Sequence, residues 1–279
     1  MHPVSPLAAG FSPYATDHLV VLILTAVGIA GFTLLARRAG RWRNGQVVRA
    51  AMCYSLTAVL LLNAAATKAR EVISGEFDVR RSLPLHLCEI GIFVTAAALI
   101  AVGNSVRRRV GVRGEPAAPR ATVSVSAQRL YELSYYWGVG GAVQALLTPE
   151  IDAHFPSPRF VSFFVMHAVL LIAPLMMTLG LRMQPGRRSF GRVWCVTNAL
   201  TVCVILVNAA LGSNYMYLCG PPAAASLYDY FGPWPWSLLT LEAVGTVVFA
   251  SCYAPFWFAR RARAPDDEAN RSEHGARAV

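Results

Sequence analysis

A chain of 279 residues that is 55% hydrophobic and only 14% charged is too apolar for an ordinary water-soluble domain, in which about a quarter of the residues are charged. The net charge of +10 does not indicate nucleic-acid binding, because the arginines come in short clusters between apolar segments. The six cysteines form no CxxC pair, which argues against a zinc ribbon or a disulfide scaffold. The composition therefore predicts an integral membrane protein.

Seven segments are long and apolar enough to cross a bilayer as helices, which takes about 20 residues each. They predict an all-α, polytopic membrane bundle of seven transmembrane helices. One membrane domain, 18–259, then follows an N-terminal segment, 1–17, and precedes a disordered tail, 260–279. The predicted spans are about 18–36, 47–67, 83–103, 128–147, 160–181, 193–211 and 237–258.

The basic residues are distributed unequally between the two sides of this predicted bundle. The loops after the first, third and fifth spans and the tail, together with Arg49 and Arg129 at the starts of the second and fourth spans, hold 20 of the 25 Arg and Lys residues. Basic loops are retained on the cytoplasmic side of a membrane. This distribution predicts that the N-terminal segment lies outside and that the C-terminal tail is cytoplasmic.

With this orientation, polar side chains from six helices concentrate in the outer half of the membrane. Ionisable groups at that depth are costly and often mark a functional site, so the pattern predicts a polar cavity that opens outward. In the alternative interpretation, these residues lie near lipid headgroups or join neighbouring helices by hydrogen bonds. The candidate residues are Asn63, His86, Cys88, Glu89, Gln144, His167, Asn208, Asn214 and Glu242.

Cys88 is the candidate nucleophile of this group. Ser82 is expected to cap the third span and Pro84 to occupy its first turn, which places Cys88 near a helix N-terminus. The helix dipole favours a thiolate at that position. Two alternatives remain open, since Cys88 could be a small buried hydrophobic residue or form a disulfide with Cys219.

A base for Cys88 is expected from another helix. His86 is two residues away and therefore faces a different side of the same helix. His167, in the fifth span, lies at a matching depth. Cysteine and histidine together form a recognisable nucleophile–base pair. The sequence thus predicts Cys88 and His167 as catalytic residues, provided that the fold brings them together.

Several segments resemble the YwaF-type family of seven-helix integral membrane proteins, a bacterial group. The resembling segments are Leu83–Cys88, Trp137–Pro149, Phe155-Pro156, Phe163–His167, Asn214–Leu218, Pro221-Pro222 and Gly232–Pro235. The resemblance implies a bacterial cytoplasmic membrane protein. It also implies a remote relationship to a vertebrate TMEM-type intramembrane phospholipid acyltransferase with a catalytic cysteine, and to six-helix lipid esterases that use a threonine and a histidine. By position, Cys88 and His167 match those catalytic roles.

The favoured hypothesis is therefore acyl transfer or hydrolysis on the ester of a membrane lipid. Asn208, Asn214 or Gln144 would donate hydrogen bonds to the oxyanion. The alternative is a transporter or a small-ligand binding protein, in which Glu89 and Glu242 bind a cation or relay protons. No cofactor is expected. A metal held by the two histidines and these two carboxylates is a less favoured possibility.

Overall fold

The computed structural model describes residues 12–108, 124–221 and 227–276, and within these ranges the chain is helical, without strands. Parts of the predicted N-terminal segment and of the predicted tail lie outside the described residues. The longer elements are α1 (Thr16–Ala39), α2 (Gly45–Ile73), α3 (Leu87–Arg108), α4 (Val125–Trp137), α5 (Val143–Leu147), α6 (Pro158–Leu175), α7 (Ser189–Leu211) and α8 (Trp236–Ala276). π-helical turns follow α4 and α6, at Gly138–Ala142 and Met176–Gly180, and 3-10 turns occupy Tyr215–Tyr217 and Leu227–Tyr230.

Six of the described helices are long and apolar enough to cross a membrane, by length and composition. The helical segment Val125–Leu147 is not one of them, because it is less apolar and carries Gln128, Arg129 and Glu132 in its first half. The six therefore do not by themselves establish the predicted count of seven. The last helix continues to Ala276, into the segment that the sequence predicts to be a disordered tail.

Contacts between helix ends show that consecutive helices alternate in direction. At one end of the bundle, Lys68 near the end of α2 pairs with Glu89 at the start of α3. At the same end, the His18 ring near the start of α1 lies 2.7 Å from the Leu146 carbonyl oxygen of α5. We call this end the Glu89 end. At the opposite end, Glu132 of α4 bonds to Arg192 of α7, and we call it the Glu132 end.

The segment Val125–Leu147 also runs from one end of the bundle to the other. Near its start, the Gln128 side chain donates to the Gln184 carbonyl at the Glu132 end, at 2.9 Å. At the C-terminal end of the segment, the Leu147 carbonyl accepts a hydrogen bond from the Tyr14 hydroxyl, at 3.0 Å, at the Glu89 end of the bundle. The segment is thus antiparallel to α3, and Thr95 and Ser134 bond across the interface between the two helices, with 2.9 Å between their hydroxyl oxygens.

The central helices α2, α3, α4 and α6 share the largest group of buried side chains, and α6 is the most enclosed of the apolar helices. By contrast, α1, α7 and α8 bury few residues and present apolar side chains such as Leu24 and Leu206 outward. An apolar outer surface would be unstable in water but matches the hydrocarbon layer of a bilayer. The arrangement therefore places the buried core among α2, α3, α4 and α6.

The close contact between α4 and α6 depends on a glycine and a proline. Pro174 has no N–H, so it cannot satisfy the Leu170 carbonyl one turn earlier. Gly138 lies against that carbonyl, and a Cβ atom at Gly138 would lie only 2.3 Å from the Leu170 oxygen. The π-helical turn begins at this glycine. Even an alanine side chain at position 138 would require the two helices to move apart.

The start of α3 differs from the prediction. The helix begins at Leu87 rather than at residue 83, and Ser82 does not cap it, because the Ser82 hydroxyl accepts a bond from the Asp78 N–H. Leu83 precedes a proline, which disfavours helical backbone at that residue. The cap residue is instead His86, whose N–H donates to the Glu89 carboxylate at 3.3 Å. This contact is half of a capping box.

Candidate functional site

A cavity of about 900 Å³ lies at the Glu89 end of the bundle. Its walls come from the end of α2, the starts of α3 and α6, and the segment 149–152. The apolar lining includes Leu61, Ala64, Ala65, Ile92, Phe93, Phe163 and Met166. The charged lining consists of Lys68, Arg70, Glu89, Glu150, Asp152 and Arg159. The cavity therefore combines an apolar wall with a margin that carries both signs of charge.

Asn63, one of the candidate residues from the sequence, lines this cavity and also joins α2 to α6. Its amide group donates to the Ser162 carbonyl at 3.1 Å, and its side-chain oxygen accepts from the Ser162 hydroxyl at 3.0 Å. The Thr67 hydroxyl bonds to the same Ser162 hydroxyl. These contacts hold the end of α2 against the start of α6, which keeps one wall of the cavity in place.

Ion pairs connect the elements around the cavity. Lys68 bridges Glu71 and Glu89 at 3.3 and 3.1 Å, and so joins α2 to α3. Glu76 in the following loop binds Arg70 and Arg159 at 3.0 and 2.9 Å. The hydrogen bond from the Arg159 guanidinium holds the pKa of the Glu76 carboxyl below its usual range. Glu76 therefore stays charged and ties the end of α2 to the start of α6.

Cys88 lies in the first turn of α3, partly buried against the core. Its thiol is free, as is that of Cys219, so these two cysteines do not form a disulfide in this structure. Cys88 is not part of the cavity lining, but the adjacent Glu89 is. Cys88 therefore lies at a helix N-terminus and next in sequence to a residue of the cavity lining.

His167 is almost completely buried in α6, with 3% of its surface exposed. Its Nδ1 atom lies 2.8 Å from the Phe163 carbonyl oxygen one turn earlier. A carbonyl can only accept, so Nδ1 carries the proton and the lone pair is on Nε2. The neighbours Phe163 and Met166 line the cavity. His167 is not part of the cavity lining itself; its ring is oriented by this bond and keeps an unprotonated Nε2.

The packing of α3 on α6 determines how Cys88 and His167 are related. Both helices begin at the Glu89 end and run in the same direction. A Cβ atom at Gly91 would lie 3.8 Å from Leu170 Cδ2, so these residues face each other. Cys88 and His167 each come three residues, or nearly one turn, before this contact. Among the described residues, no hydrogen bond joins the Cys88 thiol to the His167 imidazole.

His86 is packed between the aromatic rings of Tyr215 and Tyr217, with centroid distances of 5.5 and 5.4 Å. Its Nδ1 atom accepts the Met216 N–H at 3.3 Å, so a neutral ring carries its proton on Nε2. Burial lowers the pKa of His86; Glu150 opposes this shift, whereas Lys68 adds to it. When neutral, the two histidines are therefore opposite tautomers. Nε2 of His86 carries a proton and can donate a hydrogen bond, whereas Nε2 of His167 carries the lone pair and can accept one.

Asn208 and Asn214 shape the loop that follows α7. Asn208 donates to the Tyr215 carbonyl and accepts from the Tyr215 N–H, at 3.0 and 2.8 Å. Asn214 donates to the Gly220 carbonyl and accepts from the Cys219 N–H. Neither asparagine lines the cavity. Their bonds instead position the Tyr215–Tyr217 turn against His86.

The other two predicted binding residues also lie outside the cavity lining. Gln144 is exposed on α5. Glu242 accepts a hydrogen bond from Asn198 at 3.1 Å, and this contact joins α8 to α7. In the part of the chain that the structure describes, no three His, Cys, Asp or Glu residues are grouped to hold a metal ion. The structure thus separates Gln144, Glu242, Asn208 and Asn214 from the cavity.

Three residues near the cavity were not candidates from the sequence. Lys68 pairs with Glu89, Ser162 bonds to Asn63, and Tyr217 donates to Glu150 at 2.6 Å. Burial and this carboxylate raise the pKa of Tyr217, which keeps its phenol protonated. Lys68 had a visible signal, since it is the only lysine in the chain. Ser162 and Tyr217 had none, because their partners come from distant helices and loops.

These helices and contacts define a multi-pass membrane protein with a cavity at one end of its bundle. Residues 13–253 match the TMEM164 family, and the chain belongs to that family. No curated protein and no solved structure gives a significant match. Family membership agrees with the membrane-type helices. The match is to the TMEM164 family and does not include the narrower resemblance to the bacterial YwaF-type group.

Proposed function

We propose that the protein performs acyl-ester chemistry on a membrane lipid, as acyl transfer or hydrolysis, with Cys88 as the nucleophile and His167 as the base. The observation that carries the proposal is the register of α3 on α6, in which Gly91 faces Leu170. This register favours a common level for Cys88 and His167 beside the cavity. The bond from His167 Nδ1 to the Phe163 carbonyl leaves Nε2 as the proton acceptor.

In the proposed first step, the Cys88 sulfur attacks the carbonyl carbon of a lipid ester while His167 Nε2 accepts the thiol proton. A carbon–sulfur bond forms, the carbon–oxygen bond breaks, and His167 returns the proton to the departing alcohol. In the second step, the hydroxyl of an acceptor lipid, or water, attacks the thioester and regenerates the thiol. The N–H groups in the first turn of α3, which have no carbonyl partner within the helix, are suited to stabilise the oxyanion.

The cavity supports a lipid substrate by its distribution of polarity. Apolar side chains such as Ile92 and Met166 suit a hydrocarbon chain, whereas the margin offers cations such as Arg159 and carboxylates such as Glu150 to a headgroup. A ligand with only polar groups would leave the apolar wall in contact with water, which is unfavourable. We therefore infer that the ligand is amphipathic.

Replacing Cys88 by Ala is expected to abolish turnover, lowering it by on the order of 10³-fold or more, because the covalent intermediate cannot form. The assay uses purified protein in nanodiscs of a defined phospholipid, with an isotope-labelled lysophospholipid as acceptor and mass spectrometry of all products. Cys203→Ala, which removes an exposed thiol of α7, is the matched control. Turnover by Cys88→Ala at the wild-type rate would overturn the proposal.

The cavity equally favours a second candidate, a lipid-binding or transport function without catalysis. The same assay distinguishes the two. Retention of the labelled lipid by both wild type and Cys88→Ala, with no product from either, would support binding alone. Glu242, the carboxylate predicted to serve transport, bonds to Asn198 between α7 and α8 and is not part of the cavity lining.

We further propose that Val125–Leu147 is a seventh span, that the Glu89 end faces outward, and that the protein resides in a bacterial cytoplasmic membrane. The end-to-end course of this segment and the unequal distribution of basic residues support this topology. Cys219, exposed at the Glu89 end, should then react with a membrane-impermeant maleimide added to intact cells. Cys219→Ser should lose this labelling. Labelling only after the membrane is opened would contradict the orientation.

A further inference from the structure

The contact line between α2 and α3 has a side-chain bridge near each of its ends. Towards the Glu132 end, the Tyr54 hydroxyl donates to Asn104 at 2.7 Å. Towards the Glu89 end, Lys68 pairs with Glu89 at 3.1 Å. We call the surface line between these two bridges the α2–α3 seam. The cavity lining includes residues of both helices along this line.

On α2, Leu61 lies seven residues after Tyr54 and seven before Lys68. Seven residues make almost two helical turns, so all three lie on one face of the helix. Leu61 and Ala65 line the cavity and are exposed. The α2 side of the seam is therefore apolar between its two bridges, and it borders the cavity.

On α3, the face that carries Asn104 continues through Ile100 to Phe93, at helical spacings of four and seven residues. Ile100 is 41% exposed although it does not line the cavity, which identifies this face as the outer surface of the bundle. Phe93 lies on the same face, is 51% exposed, and does line the cavity. The cavity thus reaches the outer surface of the bundle at Phe93.

We propose that the cavity opens sideways into the hydrocarbon layer through the α2–α3 seam, and that the acyl chain of a bilayer lipid enters there. The opening is bordered by Leu61 and Ala65 on one side and by Phe93 on the other. Leu61 lies about 10 Å along α2 from Lys68. A lipid can therefore keep its headgroup near the Lys68–Glu89 pair while its chain passes into the seam.

Charge and polarity favour a lipid chain over a water-soluble ligand at this opening. The border residues are apolar and lie on a surface that faces the bilayer, whereas the charged groups Lys68, Glu89 and Arg70 lie at one end of the opening. The proposal rests on the proposed function for the choice of a lipid as ligand. It does not depend on the chemistry of Cys88, and its test uses binding rather than turnover.

The test is photolabelling in vesicles of phosphatidylcholine that contain a phosphatidylcholine with a diazirine in the middle of one acyl chain. All proteins carry Cys88→Ala, so that no turnover alters the probe. Mass spectrometry should locate label at Leu61 and Phe93. Ala65→Trp places an indole in the opening and should reduce this labelling about tenfold. The matched control Ala66→Trp, at an exposed alanine outside the cavity lining, should leave it unchanged.

Labelling of Leu62, which is exposed outside the cavity lining, provides the internal standard for general lipid contact. Phe93→Ala is a second variant that widens the opening and should increase labelling of Leu61. Equal labelling of Leu61 in the Ala65→Trp and Ala66→Trp proteins would overturn the lateral opening. A protein that is labelled as expected but shows no Cys88-dependent turnover would retain the opening and lose the proposed enzymatic function.

Discussion

Replacing His167 by Asn is expected to lower acyl turnover by about 10²- to 10⁴-fold, the usual contribution of a general base. The Asn side-chain amide can still donate to the Phe163 carbonyl, which is the partner of His167 Nδ1. Its amide oxygen is far too weakly basic to accept the Cys88 proton. The variant should therefore keep the local structure of α6 while losing the base. The rate constant for product formation in a single turnover is the measurement.

The control for this substitution is His154→Asn, at an exposed histidine of the loop before α6. It should leave both the turnover and the melting temperature unchanged. Added imidazole should partly restore the His167→Asn rate, because a small base can occupy the vacated volume. If His167→Asn retains turnover within about threefold of wild type, His167 is not the base.

Replacing Arg192 by Ala is expected to lower the free energy of unfolding by about 3–5 kcal/mol, because it leaves a buried carboxylate without its cation. Glu132 is 1% exposed and accepts from Arg192 at 2.6 Å. It also accepts from the Gly186 N–H at 2.8 Å and from Gln128 at 3.1 Å. These remaining donors cannot neutralise the charge. Thermal and denaturant unfolding of the purified protein in detergent provide the measurement.

The double variant Arg192→Ala with Glu132→Gln should be more stable than Arg192→Ala alone, since the second change removes the uncompensated charge. Arg188→Ala, at an exposed arginine four residues earlier, is the matched control and should change stability by no more than about 0.5 kcal/mol. An Arg192→Ala protein as stable as Arg188→Ala would show that the pair contributes little to the fold.

The positions of most helices could be predicted because hydrocarbon selects long apolar segments directly. The predicted first span, 18–36, lies within α1, and the predicted sixth, 193–211, lies within α7. The helix α3 begins later than predicted because Leu83 precedes a proline and the Ser82 hydroxyl accepts from the Asp78 N–H. In addition, the Leu83 N–H donates to the hydroxyl of Tyr215, from a distant loop. A cap prediction uses neighbours in the sequence, so it cannot detect such a partner.

The candidate residues chosen from the sequence do not all lie at the cavity. Asn63 and Glu89 line the cavity, but Asn208 bonds to the backbone of its own loop, and Gln144 is exposed outside the cavity lining. Depth in the membrane can be read from the position of a residue along its helix. The direction in which its side chain points depends on the rotation of that helix against its neighbours, which the sequence pattern alone did not provide.

For this protein, composition and the spacing of apolar and basic residues were sufficient to indicate an all-helical membrane protein and to single out Cys88 and His167. Both are local properties, because each depends on how a short segment partitions between water and hydrocarbon. Tertiary structure decided which helices touch. Three features join helices that are separate in the chain: the contact of Gly91 with Leu170, the Lys68–Glu89 pair and the α2–α3 seam. Their geometry depends on side-chain packing between helices rather than on the transfer of any one helix into the bilayer.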